Sequence, residues 1–159
     1  MPVMKVLVAY DSRKGTTRTV AERIALVAQG TTADVTVSHV GAIAPGEAAG
    51  ADVLFLGAWT HGLFVVGVGP SEGAVAWAHS LPDLTGTLGA AFCTYDVNPR
   101  GTLVALSSLL RDKGVEVLGA HASKRRNRLS GVEDFTREIM AQVRQRSGVR
   151  STGDRALRP

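Results

Sequence analysis

Five uninterrupted apolar residues, Val6-Leu7-Val8-Ala9-Tyr10, run into a short hydroxyl-rich stretch, Ser12-Arg13-Lys14-Gly15-Thr16-Thr17. A strand with no polar alternation is one buried on both faces, the situation of a central strand in a parallel sheet covered by helices. A helical pattern follows directly, with Val20, Ile24 and Val27 on one stripe and Ala21, Ala25 and Ala28 beside it. Its end is predicted near Gln29-Gly30. A strand, a hydroxyl-and-glycine loop and a helix in this order turn free backbone N–H groups, at the positive end of a helix dipole, toward a phosphate.

The same alternation continues down the chain. Asp34 to Val40 alternates polar and apolar residues as an edge strand does, and Gly41 to Gly50 leaves room for a short helix over Gly46 to Ala49. Asp52 to Gly57 reads as a second central strand, and the loop Ala58 to Pro70 carries Trp59, His61 and Phe64 among glycines. Ser71 is placed to cap a helix of about ten residues running through Trp77. Leu88 to Thr94 is a buried strand ending in the loop Tyr95 to Gly101, and Thr102 to Lys113 is helical with Gly114 as terminator. Val115 to Ala120 is the last strand, and Ser130 with Glu133 forms a capping box before a helix over Val132 to Arg146. Five strands joined by helical crossovers make a single doubly wound α/β sheet, because parallel strands cannot be linked by hairpins. Ligands in such sheets bind beyond the carboxyl ends of the strands, where three loops converge: Ser12–Thr17, Ala58–Gly69 and Thr94–Gly101.

A chain of 159 residues suits one domain, expected over residues 1–146. Residues 147–159 are polar, basic and aperiodic and are expected to be disordered. The net charge is +4, of which Lys124, Arg125, Arg126 and Arg128 supply four and the tail after Arg146 two more, so the remainder carries −2. The basic cluster reads either as a solvated loop or as a docking patch for an acidic redox partner. Nucleic acid is the weaker fit, with no aromatics interleaved. No apolar run is long enough to span a bilayer, and the N-terminus has no secretory pattern, so a cytoplasmic location is expected. Cys93, the only cysteine, lies in an apolar strand pattern and reads as a buried inert thiol. His39, His61, His79 and His121 are scattered without carboxylate partners at metal-ligand spacing.

With these residues in view, the chain resembles the flavodoxins and flavodoxin-like proteins over roughly residues 4 to 146. YDSRKGTTRTVAERI matches the family's strand, Ser/Thr-x-Thr-Gly-x-Thr loop and Ala-Glu-x-Ile helix. Ser12, Gly15 and Thr17 fall on its positions, Lys14 stands where threonine is usual, and Thr16 where asparagine is common. ADVLFLGAWTHG resembles the Tyr-Asp-x-x-x-x-Gly-x-Pro-Thr-Tyr run: Asp52, Gly57 and Thr60 align, Trp59 replaces the proline, and His61 takes the aromatic place. LGAAFCTY resembles the strand and loop that cradle the flavin's pyrimidine ring.

The resemblance implies five parallel strands in the order 2-1-3-4-5 and noncovalent binding of FMN. Ser12, Thr16 and Thr17 hydroxyls with the loop amides, Gly15 included, would hold the phosphate. Arg13 and Lys14 either neutralise it or point to solvent. Trp59, Thr60, His61 and Gly62 form one flank of the ring site and Thr94 and Tyr95 the other. Trp59 and Phe64 either stack on the ring or pack in the core, and His61 either stacks or lies exposed. Asp96 and Asn98 either meet the flavin edge or form the turn before Pro99. Electron transfer between redox partner proteins, a reductase and an acceptor, is the role so implied. Two alternatives stay open: an FMN-dependent oxidoreductase acting on a quinone or porphyrinogen, since the protoporphyrinogen-oxidising branch is similar around SRKGTT, and an interaction module that has lost the cofactor.

Overall fold

Strand β1 (Lys5–Tyr10) buries every side chain from Val6 to Tyr10, as its unbroken apolar run requires. The structure, a computed structural model, describes residues 3–31, 33–61, 69–99 and 101–156. β1 is flanked by β2 (Asp34–His39) and β3 (Val53–His61), and β5 (Leu88–Tyr95) and β6 (Glu116–Lys124) extend the sheet. These five strands are parallel in the order β2-β1-β3-β5-β6, which in chain order is the expected 2-1-3-4-5.

Helices cover both faces. α1 (Thr16–Gln29) and α4 (Val132–Ala156) enclose Val6, Val8, Phe55 and Phe92 against Ile24, Ile139 and Met140. α2 (Glu72–His79) and α3 (Thr102–Asp112) enclose Leu7, Leu54 and Leu56 against Trp77, Leu106 and Leu110. Neighbouring residues of β3 thus serve opposite cores, the period-two arithmetic of a pleated strand. Gly57 interrupts that pattern for a packing reason: a Cβ there would run into the Phe92 ring.

Several boundaries differ from the sequence reading. Trp59, Thr60 and His61 complete β3 instead of lying in a loop. A two-residue strand, β4 (Gly69–Pro70), pairs antiparallel with Thr60 and His61 and gives their backbone partners. β6 runs on from Ala120 to Lys124 because β5, its neighbour, is long enough to pair with it up to Tyr95. The short helix expected over Gly46 to Ala49 is present as a 3₁₀ helix, Pro45–Gly50.

Ser71 precedes α2, but its buried hydroxyl makes no cap bond. The Ser130–Glu133 capping box does not form: the Ser130 N–H donates to the Asn127 carbonyl at 3.1 Å, and the Glu133 carboxylate accepts from Arg23 at 2.9 Å and Arg137 at 3.5 Å. α4 continues to Ala156 where a disordered tail is expected; extending an existing helix avoids the cost of a new nucleus.

Candidate functional site

The chain runs from central β1 out to edge β2, then crosses to β3 on the other side of β1. This reversal opens a crevice at the carboxyl ends of the strands. Its first wall is the β1–α1 loop. The Asp11 N–H donates to the Gly57 carbonyl at 3.0 Å, tying the loop to β3. The Gly15 N–H donates to Ser12 Oγ at 3.0 Å, and Gly15 has φ of 87°, a left-handed turn that suits glycine. Its carbonyl accepts from the Thr19 N–H at 3.0 Å and the Thr19 hydroxyl at 2.9 Å. α1 therefore opens without a side-chain cap, and its first-turn amides have no intrahelical acceptor.

The Thr17 hydroxyl is buried and lies 2.7 Å from that of Thr94, at the end of β5. The pair ties the start of α1 to the end of β5. Thr17 keeps a proton to donate to a ligand only when Thr94 is the donor between them. Thr60 is fastened in the same way, its hydroxyl donating to Thr102 on α3 at 3.2 Å. The Cys93 thiol beside it is pushed up to about 12 by burial, with a partial offset from hydrogen bonding to Thr60, so it stays protonated and inert.

Ser12, Arg13, Lys14, Thr16 and Thr17 line one side of the crevice; Trp59, Thr60, His61, Thr94, Tyr95 and Asp96 line the rest of its wall with Arg125. The crevice encloses about 320 Å³. The Arg13 guanidinium lies 5.5 Å from the Trp59 ring centroid, and the His61 ring meets Trp59 edge-on at 6.2 Å. Arg13 is exposed at the crevice wall, with its guanidinium over the Trp59 ring. Gly15 shapes the loop from behind, and among the described residues neither it nor Asn98 is part of the wall. Gly62 and Phe64 fall outside the described residues.

Arg125 is a crevice residue that the sequence reading does not single out, since it takes the basic cluster 124–128 together, as a solvated loop or a docking patch. Tyr95 and Lys124 are register partners, so Arg125 emerges at the crevice mouth, 3.5 Å from Asp96. The usable signal was the polar continuation His121-Ala122-Ser123-Lys124, which had to pair with β5. His39 also differs from its reading, because it does have a carboxylate partner. Register places Tyr10 beside His39, and Asp11 Oδ1 lies 3.1 Å from His39 Nε2. The Gly41 N–H donates to Nδ1 at 2.9 Å, which leaves Nε2 as the donor to Asp11.

No protein-family model matches this sequence, and no curated protein does. Solved structures do. Oxidised flavodoxin 2 from Bacillus cereus superposes with a TM-score of 0.75 at 19% identity, covering 87% of this chain and 99% of that one. The chain has the flavodoxin-like fold. A flavodoxin from Streptococcus pneumoniae TIGR4 is similar at TM-score 0.73 and 16% identity, covering 87% and 99%. The rubredoxin:oxygen oxidoreductase of Desulfovibrio gigas is similar at TM-score 0.74 and 17% identity, over 91% of this chain but 37% of the longer one. Among the described residues, no helix is long and apolar enough to cross a membrane.

Proposed function

We propose that this chain binds FMN noncovalently in the crevice and works as an electron carrier between redox proteins. One observation carries the reading: a hydroxyl-and-amide loop at the start of α1 faces, across a single gap, aromatic side chains at the ends of β3 and β5. The donor chemistry fits the group. A phosphate dianion requires several short donors, and the Ser12 and Thr16 hydroxyls, the first-turn amides and the Arg13 and Lys14 cations are of that kind. A flat ring with apolar faces and one polar edge requires aromatic walls, which Trp59 and Tyr95 are suited to provide. Bound FMN would supply the one- and two-electron chemistry.

The part of the chain's own residues is to hold and to shield. Thr17 and Thr94 keep the loop and β5 in fixed relation, and the crevice walls exclude water from the ring. The inert Cys93 does not compete as a nucleophile.

The test is a titration of the purified protein with FMN and with riboflavin, followed by visible absorbance and quenching of flavin fluorescence. A charge-assisted phosphate bond contributes about 1.5–3 kcal/mol, so FMN should bind at least about tenfold more tightly than riboflavin. Ser12→Ala and Thr16→Val should erase most of that difference. Equal affinities for the two flavins would remove the phosphate from this loop, and no uptake of either would end the proposal.

A further inference from the structure

We infer that the β6 side of the crevice mouth is a docking surface for an acidic protein partner, built from the exposed cations Lys124, Arg126 and Arg128 and the exposed apolar Val97 and Leu129. That such a partner exchanges electrons rests on the FMN reading; the complementarity of charge and surface does not.

The charges are concentrated here against the trend of the molecule. Four cations occupy five positions, 124–128, while the chain apart from them and the tail carries −2. All five residues are exposed. Among the described residues, Asp96 is the one carboxylate that reaches the cluster, and it engages Arg125 alone, at 3.5 Å. Lys124, Arg126 and Arg128 have no ion-pair partner among the described residues. Across the crevice, Arg13 and Lys14 are exposed as well, so the field at the mouth has one sign on both sides. A concentrated positive rim on a weakly negative body orients an approaching negative surface and accelerates encounter with it.

The surface chemistry favours a protein over a nucleic acid. Val97 is 70% exposed and Leu129 36% exposed. Val97 follows Asp96, which touches Arg125, and Leu129 follows Arg128, so exposed apolar residues adjoin the charged ones along the chain. Protein interfaces combine an apolar centre with a charged rim. Single-stranded nucleic acid calls for a row of aromatic platforms; residues 124–131 include no aromatic, and Tyr95, the register partner of Lys124, is a single ring at their edge.

The experiment measures fluorescence anisotropy of the full chain with two labelled probes: a peptide of glutamates interspersed with leucines, and single-stranded DNA of equal charge. The expected result is peptide binding at low salt that exceeds DNA binding and weakens about tenfold or more in the Lys124→Gln/Arg126→Gln/Arg128→Gln variant. FMN uptake and melting temperature of that variant should match the parent, which separates docking from folding. Unchanged peptide binding in the variant, or tighter binding of the DNA, would overturn the inference. A protein that takes up FMN but ignores the peptide loses the docking surface alone. One that binds the peptide through these three residues yet takes up no flavin supports the docking surface and loses the FMN reading.

Discussion

The two sides of the crevice carry their polar groups in different ways. On the β1–α1 side, beside the exposed Arg13 and Lys14, the groups are short, and several are already locked: Ser12 by the Gly15 amide, Thr17 by Thr94, and the Gly15 carbonyl by Thr19. On the β6 side they are long, exposed lysine and arginine side chains, with one loose contact between Arg125 and Asp96. Fixed donors at hydrogen-bond range select the shape and charge of a small ligand, and they lose little entropy in doing so. Mobile surface cations act over about a Debye length, roughly 10 Å at 0.1 M salt, and select only the sign of a larger body. The difference is one of reach: locked hydroxyls and amides act at contact, while exposed cations, Arg13 and Lys14 among them, act at a distance.

The sharpest way to break this contrast is at the Thr17–Thr94 pair. Thr17→Val leaves the buried Thr94 hydroxyl without its partner, an expected cost of about 1–3 kcal/mol in urea unfolding. It should also weaken FMN binding about tenfold or more, whereas Arg126→Gln should move FMN affinity less than twofold. Similar losses in the two variants would mean that the walls are not functionally distinct.

A smaller effect is expected at Trp59, whose ring is shared between Arg13 and the crevice. An aromatic stacking contact contributes about 0.5–1.5 kcal/mol beyond area burial. Trp59→Ala should therefore weaken FMN several-fold and riboflavin by the same factor, since the lost contact lies on the ring and not the phosphate. A loss confined to FMN would point to Arg13 positioning in its place.

The smallest effect concerns pH. His121 on β6 is stacked on Phe135 at 5.2 Å, with Nε2 3.2 Å from the Ser130 carbonyl. Burial lowers its pKa below the ordinary 6.5, and the bond to Ser130 offsets this in part. A histidine lowered in the folded state binds fewer protons there than in the unfolded chain, so its contribution to stability is complete above about 6.5 and declines as pH falls below it. The melting temperature should drop modestly on going from about pH 7 to pH 5, and His121→Gln should flatten that drop. An unaltered slope in the variant would assign the pH response to other groups.

Much of this arrangement was legible in the residues. The unbroken runs Val6–Tyr10 and Val53–Leu56 could only be doubly buried strands, and the glycine and hydroxyls after Tyr10 marked the turn into a helix. The misreadings cluster where a segment's role depends on a neighbour. β6 was cut short at Ala120 because His121 to Lys124 are polar, yet β5 offers them backbone partners as far as Tyr95. Trp59 to His61 read as loop because β4, which pairs with the last two, is only two residues long. Ser130 and Glu133 have the capping-box spacing, but Arg23, 110 positions earlier, claims the carboxylate.

By itself, the sequence determined which segments are buried strands and amphipathic helices, that the strands are parallel, and that a hydroxyl loop opens the first helix. Burial of a segment is written in its own periodicity, so local reading reaches that far. Only the tertiary structure decided that Thr17 meets Thr94, 77 residues away, that Asp11 meets His39, and that Arg125 stands at the crevice mouth. Each of these contacts depends on the register between strands. Register comes from the packing of the whole sheet, and no local pattern records it.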